Sequence, residues 1–123
     1  MIALLAFIRF YWVAITAVTL MTITVLSLWP LETLPQVPGG DKTHHFIAYA
    51  ALMFPAALRK PKYLLFIGLL FIAWGGAIEL VQPYVNRYAS LLDVAANTAG
   101  LTFGLLTAKL INTPTAIELS NAD

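Results

Sequence analysis

In a chain of 123 residues, 60% hydrophobic content against 11% charged residues exceeds what a soluble domain can bury, because small domains leave much of their surface exposed. A formal net charge of +1 with no clustered basic face argues against a nucleic-acid partner. The absence of cysteine excludes disulfides, thiolate nucleophiles and cysteine-bound metals.

Lipid is the natural solvent for such a composition, and the apolar segments predict an all-α, four-helix transmembrane bundle in one domain, residues 1–111. The first span runs from Phe10 to Trp29, about 20 residues, enough to cross a ~30 Å hydrocarbon core. Arg9 ahead of an apolar run also fits a signal peptide. The run is longer than a usual signal core and no small-x-small site precedes Pro30, which favours an uncleaved span. Pro30, Pro35, Pro38, Gly39 and Gly40 then mark a loop. The second segment, Thr43 to Leu58, rises only ~24 Å as a helix. It spans if its polar start sits at the membrane surface or the bilayer thins there; a re-entrant or interfacial segment is the alternative. Arg59, Lys60, Pro61 and Lys62 form a basic turn, with Pro61 suited to a helix start. The third span covers about Lys62 to Gln82 and the fourth Leu91 to Ile111, separated by the polar loop Pro83–Ser90. Residues 112–123 form a polar tail.

Lys and Arg in short loops set the orientation. With four spans, Arg9, Arg59, Lys60, Lys62 and Lys109 share one side and Lys42 and Arg87 the other, which puts both termini in the cytoplasm. Asp41, Lys42, His44 and His45 then start the second helix on the outer side, Glu79 and Gln82 end the third there, Arg87 lies in the outer loop, and Asp93 and Asn97 open the fourth. Glu79 and Gln82, Asp93 and Asn97, and His45 and Tyr49 each share a helix face. Ala96, Gly100, Gly104 and Ala108 repeat a small residue every fourth position, a row that lets helices pack closely in lipid. At 100° per residue Asp93 and Asn97 fall on that stripe and turn inward, as costly polar groups in a membrane do.

Structural roles compete with functional ones for these residues. Glu79 and Gln82 serve equally as an interhelical hydrogen-bond clamp, and Asp93 as the favourable anion of a helix start. Arg87 is an ion-pair partner for Glu79 or Asp93, or a headgroup anchor. Tyr49, Trp29, Tyr84 and Tyr88 suit the aromatic belt better than ligand binding, and Trp12 and Trp74 packing or the belt. His45, Glu79, Asp93 and Asp41 have the chemistry of metal ligands, but no HExxH or similar pair gives them ligand spacing, so neither a metal nor another cofactor is expected.

Three blocks in order resemble the VanZ-like family of small bacterial membrane proteins. They are Asp41-Lys42-Thr43-His44-His45-Phe46 with Tyr49, Glu79-x-x-Gln82 followed by Arg87, and Asp93-x-x-x-Asn97-x-x-Gly100 with Gly104, preceded by Ser27-Leu28-Trp29-Pro30. His45 takes the family's histidine position, and the resemblance covers about residues 20–105. It implies a multi-pass protein of the bacterial cytoplasmic membrane and a family link to resistance against the glycopeptide antibiotic teicoplanin. The expected function is binding of a lipid headgroup, a lipid-linked wall precursor or a glycopeptide in an outward pocket formed by Asp41, Lys42, His45, Tyr49, Glu79, Gln82, Arg87, Asp93 and Asn97. The alternative is an enzyme on a lipid-linked substrate, with His45 or Glu79 as acid or base, Asp93 orienting it and Arg87 stabilising anionic charge. A small transporter, acting as a homo-oligomer, ranks last because the polar residues stop near one face.

Overall fold

A computed structural model describes residues 2–29, 41–85 and 91–112. It is all helical, and no strand occurs among these residues. The elements are α1 (Ile2–Phe10), α2 (Trp12–Leu28), α3 (Asp41–Arg59), α4 (Leu64–Val81) with a 3-10 turn over Gln82–Val85, and α5 (Leu91–Asn112). Two helices are long and apolar enough to cross a membrane, Leu64–Val85 and Leu91–Asn112, and α1 with α2 makes a third if the bent pair is one span. Both long helices carry large apolar side chains on the outside, among them Leu65, Phe66 and Leu69 on α4 and Phe103, Leu106 and Leu110 on α5. Such a surface is unusual in water and ordinary against acyl chains.

The first predicted span differs from the structure at its start. Helix continues back to Ile2, but α1 meets α2 at 77°. The break is at Tyr11, whose φ of −99° and ψ of 24° lie in the bridge region between helix and strand. Backbone hydrogen bonds continue through it, from Tyr11 N–H to the Phe7 carbonyl and from Ile15 N–H to the Tyr11 carbonyl. The longer part, α2, is 17 residues, a rise of about 25 Å. Three of its four threonines satisfy their hydroxyls locally: Thr19, Thr22 and Thr24 each donate to the carbonyl four residues earlier, while the buried Thr16 hydroxyl makes no hydrogen bond within the described residues.

Helix α3 is longer than the sequence suggests, 19 residues instead of Thr43–Leu58, because the polar start from Asp41 is helical too. It rises about 28 Å, yet it is outside the set apolar enough to span. Its packing explains that composition. It touches α1, α2, α4 and α5, and its contact with α5 is the most extensive in the molecule. Tyr49, Leu52, Met53, Ala56, Ala57 and Leu58 are all buried. A helix sheathed by neighbours needs little apolar coat of its own. Pro55 sits within it, and it ends where Lys60 turns left-handed, with a φ of 57°, ahead of Pro61.

The small-residue row of α5 faces this central helix. A Cβ on Gly100 would collide with the Phe46 carbonyl oxygen, and one on Gly104 would meet the Ala50 carbonyl oxygen at 2.5 Å. Ala108 is fully buried against Ala57 and Leu58. Ala96, expected in the same row, is only half-buried. At 100° per residue it lies about 90° from the centre of the buried stripe, which runs through Asp93, Asn97, Gly100, Leu101, Gly104 and Ala108.

Candidate binding site

The glycine seam fixes how α3 and α5 are registered, and the register sets polar side chains of the two helices opposite each other. One turn before Asn97, Asp93 is buried to 4% exposure at the start of α5. Lys42 Nζ lies 3.5 Å from Asp93 Oδ1, and His45 Nδ1 lies 3.5 Å from the same oxygen. Lys42 is half-exposed and His45 largely covered, so the cluster grades from a wet cation to a dry carboxylate. Asp93 lies in the first turn of α5, where the helix dipole favours negative charge. The Nδ1 of His45 makes no hydrogen bond within the described residues, so its 3.5 Å approach to Asp93 Oδ1 is a close contact without a hydrogen bond.

A turn deeper come Tyr49 on α3 and Asn97 on α5, both buried. They meet at Gly75 of α4. A Cβ there would sit 2.9 Å from the Tyr49 hydroxyl and 3.0 Å from Asn97 Nδ2, so a larger residue would push these two polar ends from their places. Gly75, Glu79 and Gln82 follow one another at four and three residues and therefore share a face. All three are buried. Glu79 lies within electrostatic range of the Tyr49 hydroxyl. Gln82, at the junction of α4 and the 3-10 turn, donates from Nε2 to the Ser27 carbonyl of α2 at 3.1 Å. The polar layer thus draws on α2, α3, α4 and α5. Below it the interior is apolar, built from Ile23, Leu52, Met53, Phe71, Ile78 and Leu101.

Among the predicted site residues, Lys42, His45 and Asp93 form one cluster, and Tyr49, Asn97 and Glu79 gather beneath it. Gln82 serves as the clamp to α2. Arg87 and the side chain of Asp41 lie outside the described residues. Within those residues no three His, Asp or Glu side chains are grouped to hold a metal ion. Two further participants were not expected at the site. Ser27 contributes a backbone carbonyl, for which side-chain chemistry gives no signal. Gly75 was visible as the residue one turn before Glu79 on the same face. Trp74 also proves to be more than a packing residue, since its Nε1–H donates to Thr24 Oγ1 at 2.9 Å and ties α4 to α2.

The cluster can attract an anion at Lys42, with an imidazole and a buried carboxylate beside it. Its buried depth suits a group that enters from the end of the helices. Two grooves among the described residues, of about 650 and 340 Å3, lie away from this cluster; Phe46, Phe103 and Leu106 line the first and Met53, Leu65 and Leu105 the second. No protein-family model, curated protein or solved structure matches this chain.

Proposed function

We propose that this chain is a VanZ-like integral membrane protein of the bacterial cell envelope that binds a lipid headgroup, a lipid-linked wall precursor or a glycopeptide. In this reading α2, α3, α4 and α5 are four spans of a bundle in the cytoplasmic membrane, both termini are cytoplasmic, and Lys42, His45 and Asp93 face outward. Arg87, close in sequence to Gln82, joins Lys42 as a second cation for a phosphate, by its bidentate fork. The carrying observation is the convergence on Asp93, where Lys42 and His45 both stand 3.5 Å from one buried carboxylate oxygen. Groups this costly in a membrane interior are retained where they have work to do. Lys42 is half-exposed and its contact with Asp93 is long, so it can turn to a ligand phosphate without leaving a tight bond.

The test is saturable binding of anionic lipids and lipid-linked wall precursors to purified protein. Lys42→Ala should weaken binding by about tenfold or more, the worth of a charge-assisted hydrogen bond. Absence of any saturable binding would overturn the reading. The family link to teicoplanin resistance calls for a separate measurement of susceptibility in cells with and without the protein.

One observation favours a second reading, a membrane-embedded enzyme acting on a lipid-linked substrate at the outer leaflet. His45 beside buried Asp93 has the composition of an acid–base pair, with Glu79 nearby as the other candidate. His45→Ala, Glu79→Gln and Asp93→Asn would then abolish the cellular phenotype with the fold intact. Full function in all three variants would exclude it.

A further inference from the structure

Three buried polar atoms at the outer end of the bundle make no hydrogen bond within the described residues: Gln82 Oε1, Asn97 Oδ1 and His45 Nδ1. They come from three separate elements, the 3-10 turn after α4, α5 and α3. The orientation of Gln82 follows from chemistry. Its partner, the Ser27 carbonyl, only accepts, so the NH2 must face it and the amide oxygen must face away. Gln82 is 1% exposed and Asn97 4%, so bulk water does not reach these oxygens freely. Buried acceptors without partners are rare and call for a specific explanation. An apolar side chain of similar length at either place would carry no such penalty.

The polarity of the two amides narrows the ligand. Both orphaned amide atoms are neutral acceptors, and an acceptor calls for a donor. A bare phosphate offers oxygens to Lys42 but no hydrogen to an amide oxygen. A hydroxyl provides the missing donor and, unlike a second cation, brings no charge of its own to bury. The imidazole nitrogen of His45 donates or accepts according to its tautomer, so it completes the set with either end of a hydroxyl.

We infer that the site recognises a hydroxylated headgroup attached to a phosphate, with the phosphate toward Lys42 and hydroxyls donating to Gln82 Oε1 and Asn97 Oδ1. This rests on the binding function proposed above and names its ligand chemistry. Two sources share that chemistry, a glycerol headgroup and a lipid-linked sugar.

The experiment compares wild-type protein in phosphatidylcholine nanodiscs doped with phosphatidylglycerol, phosphatidylmethanol or a sugar-bearing lipid phosphate, with bound lipid counted by native mass spectrometry. At least one hydroxylated lipid should bind about tenfold or more tightly than phosphatidylmethanol, as expected when a buried acceptor loses its donor. Whichever hydroxylated lipid is preferred identifies the source. Equal binding of all three overturns the inference and leaves the proposed function standing. Absence of binding overturns both. The comparison needs no variant. Where Gln82→Met and Asn97→Leu keep native helicity and a monodisperse elution, each should reduce the preference toward unity, while Asn97→Asp, which keeps an acceptor oxygen, should retain it. Unchanged preference in the folded Met and Leu variants also overturns the assignment of these two residues.

Discussion

Gly100 and Gly104 are small for a reason set by backbone, not by side chains. What a methyl group would strike is a carbonyl oxygen of α3, which cannot rotate aside. Gly104→Ala should therefore destabilise the protein by roughly 1–3 kcal/mol, the usual cost of forced overpacking, and Gly100→Ala by at least as much. Reversible unfolding in detergent measures both, and a neutral Gly104→Ala would show that the seam is looser than described. Lys60 presents the opposite case. It holds a left-handed conformation that costs a side-chain-bearing residue about 1–2 kcal/mol. Lys60→Gly should raise stability by about 1 kcal/mol in the same assay. Single residues were legible where helical spacing acts on them, as with Asp93, Asn97, Gly100 and Gly104. Ala96 obeyed the four-residue spacing but sits at the edge of the stripe, which spacing without angular centring does not reveal. The Ser27 carbonyl was illegible because every residue has one.

Among the elements, α4 is tied to α2 by Trp74, and the 3-10 turn after it by Gln82, which donates to the Ser27 carbonyl. Trp74 donates to Thr24 Oγ1, and that hydroxyl donates in turn to the Leu20 carbonyl, so the group is fully used. Trp74→Phe keeps most of the packing and removes only the tie. A loss of about 0.6–1 kcal/mol is expected, typical of interhelical hydrogen bonds in membranes, and Thr24→Val should cost no more when Trp74 is already gone. At the opposite end Arg9 donates to Asn112 Oδ1 at 2.7 Å, and Asn112 donates to the Leu58 carbonyl, which binds α1, α3 and α5 together. This tie had no sequence signal, since Arg9 reads equally as an interfacial charge. The bend at Tyr11 was likewise hidden. Sharp bends usually announce themselves by proline or glycine, and neither stands there. The extents of α4 and α5, by contrast, follow closely from their apolar runs and the polar loop between them.

For the whole molecule, the sequence predicted its helical class and the end at which polar groups gather. It did not predict that the least apolar helix is the central one, because burial by protein and burial by lipid impose different patterns on a short segment. The proposed orientation has a clean test, since the chain contains no cysteine. In intact cells a membrane-impermeant maleimide should label Lys42→Cys and spare Lys62→Cys until the membrane is opened; the reverse pattern would invert the topology. The centrality of α3 also bears on how such a protein is made. Alone among acyl chains, a helix opening with Asp41, Lys42, His44 and His45 is a poor solute, and its charged end is tolerable only near the headgroups. Once α5 closes against it, Asp93 lies beside Lys42 and His45, and the glycine seam shuts over the backbone carbonyls. In the proposed membrane setting, the contact that assembles the candidate site is therefore also the contact that lets the polar start of α3 lie beside acyl chains. Separation of α5 from α3 would undo the candidate site and leave the polar start of α3 without its buried carboxylate partner.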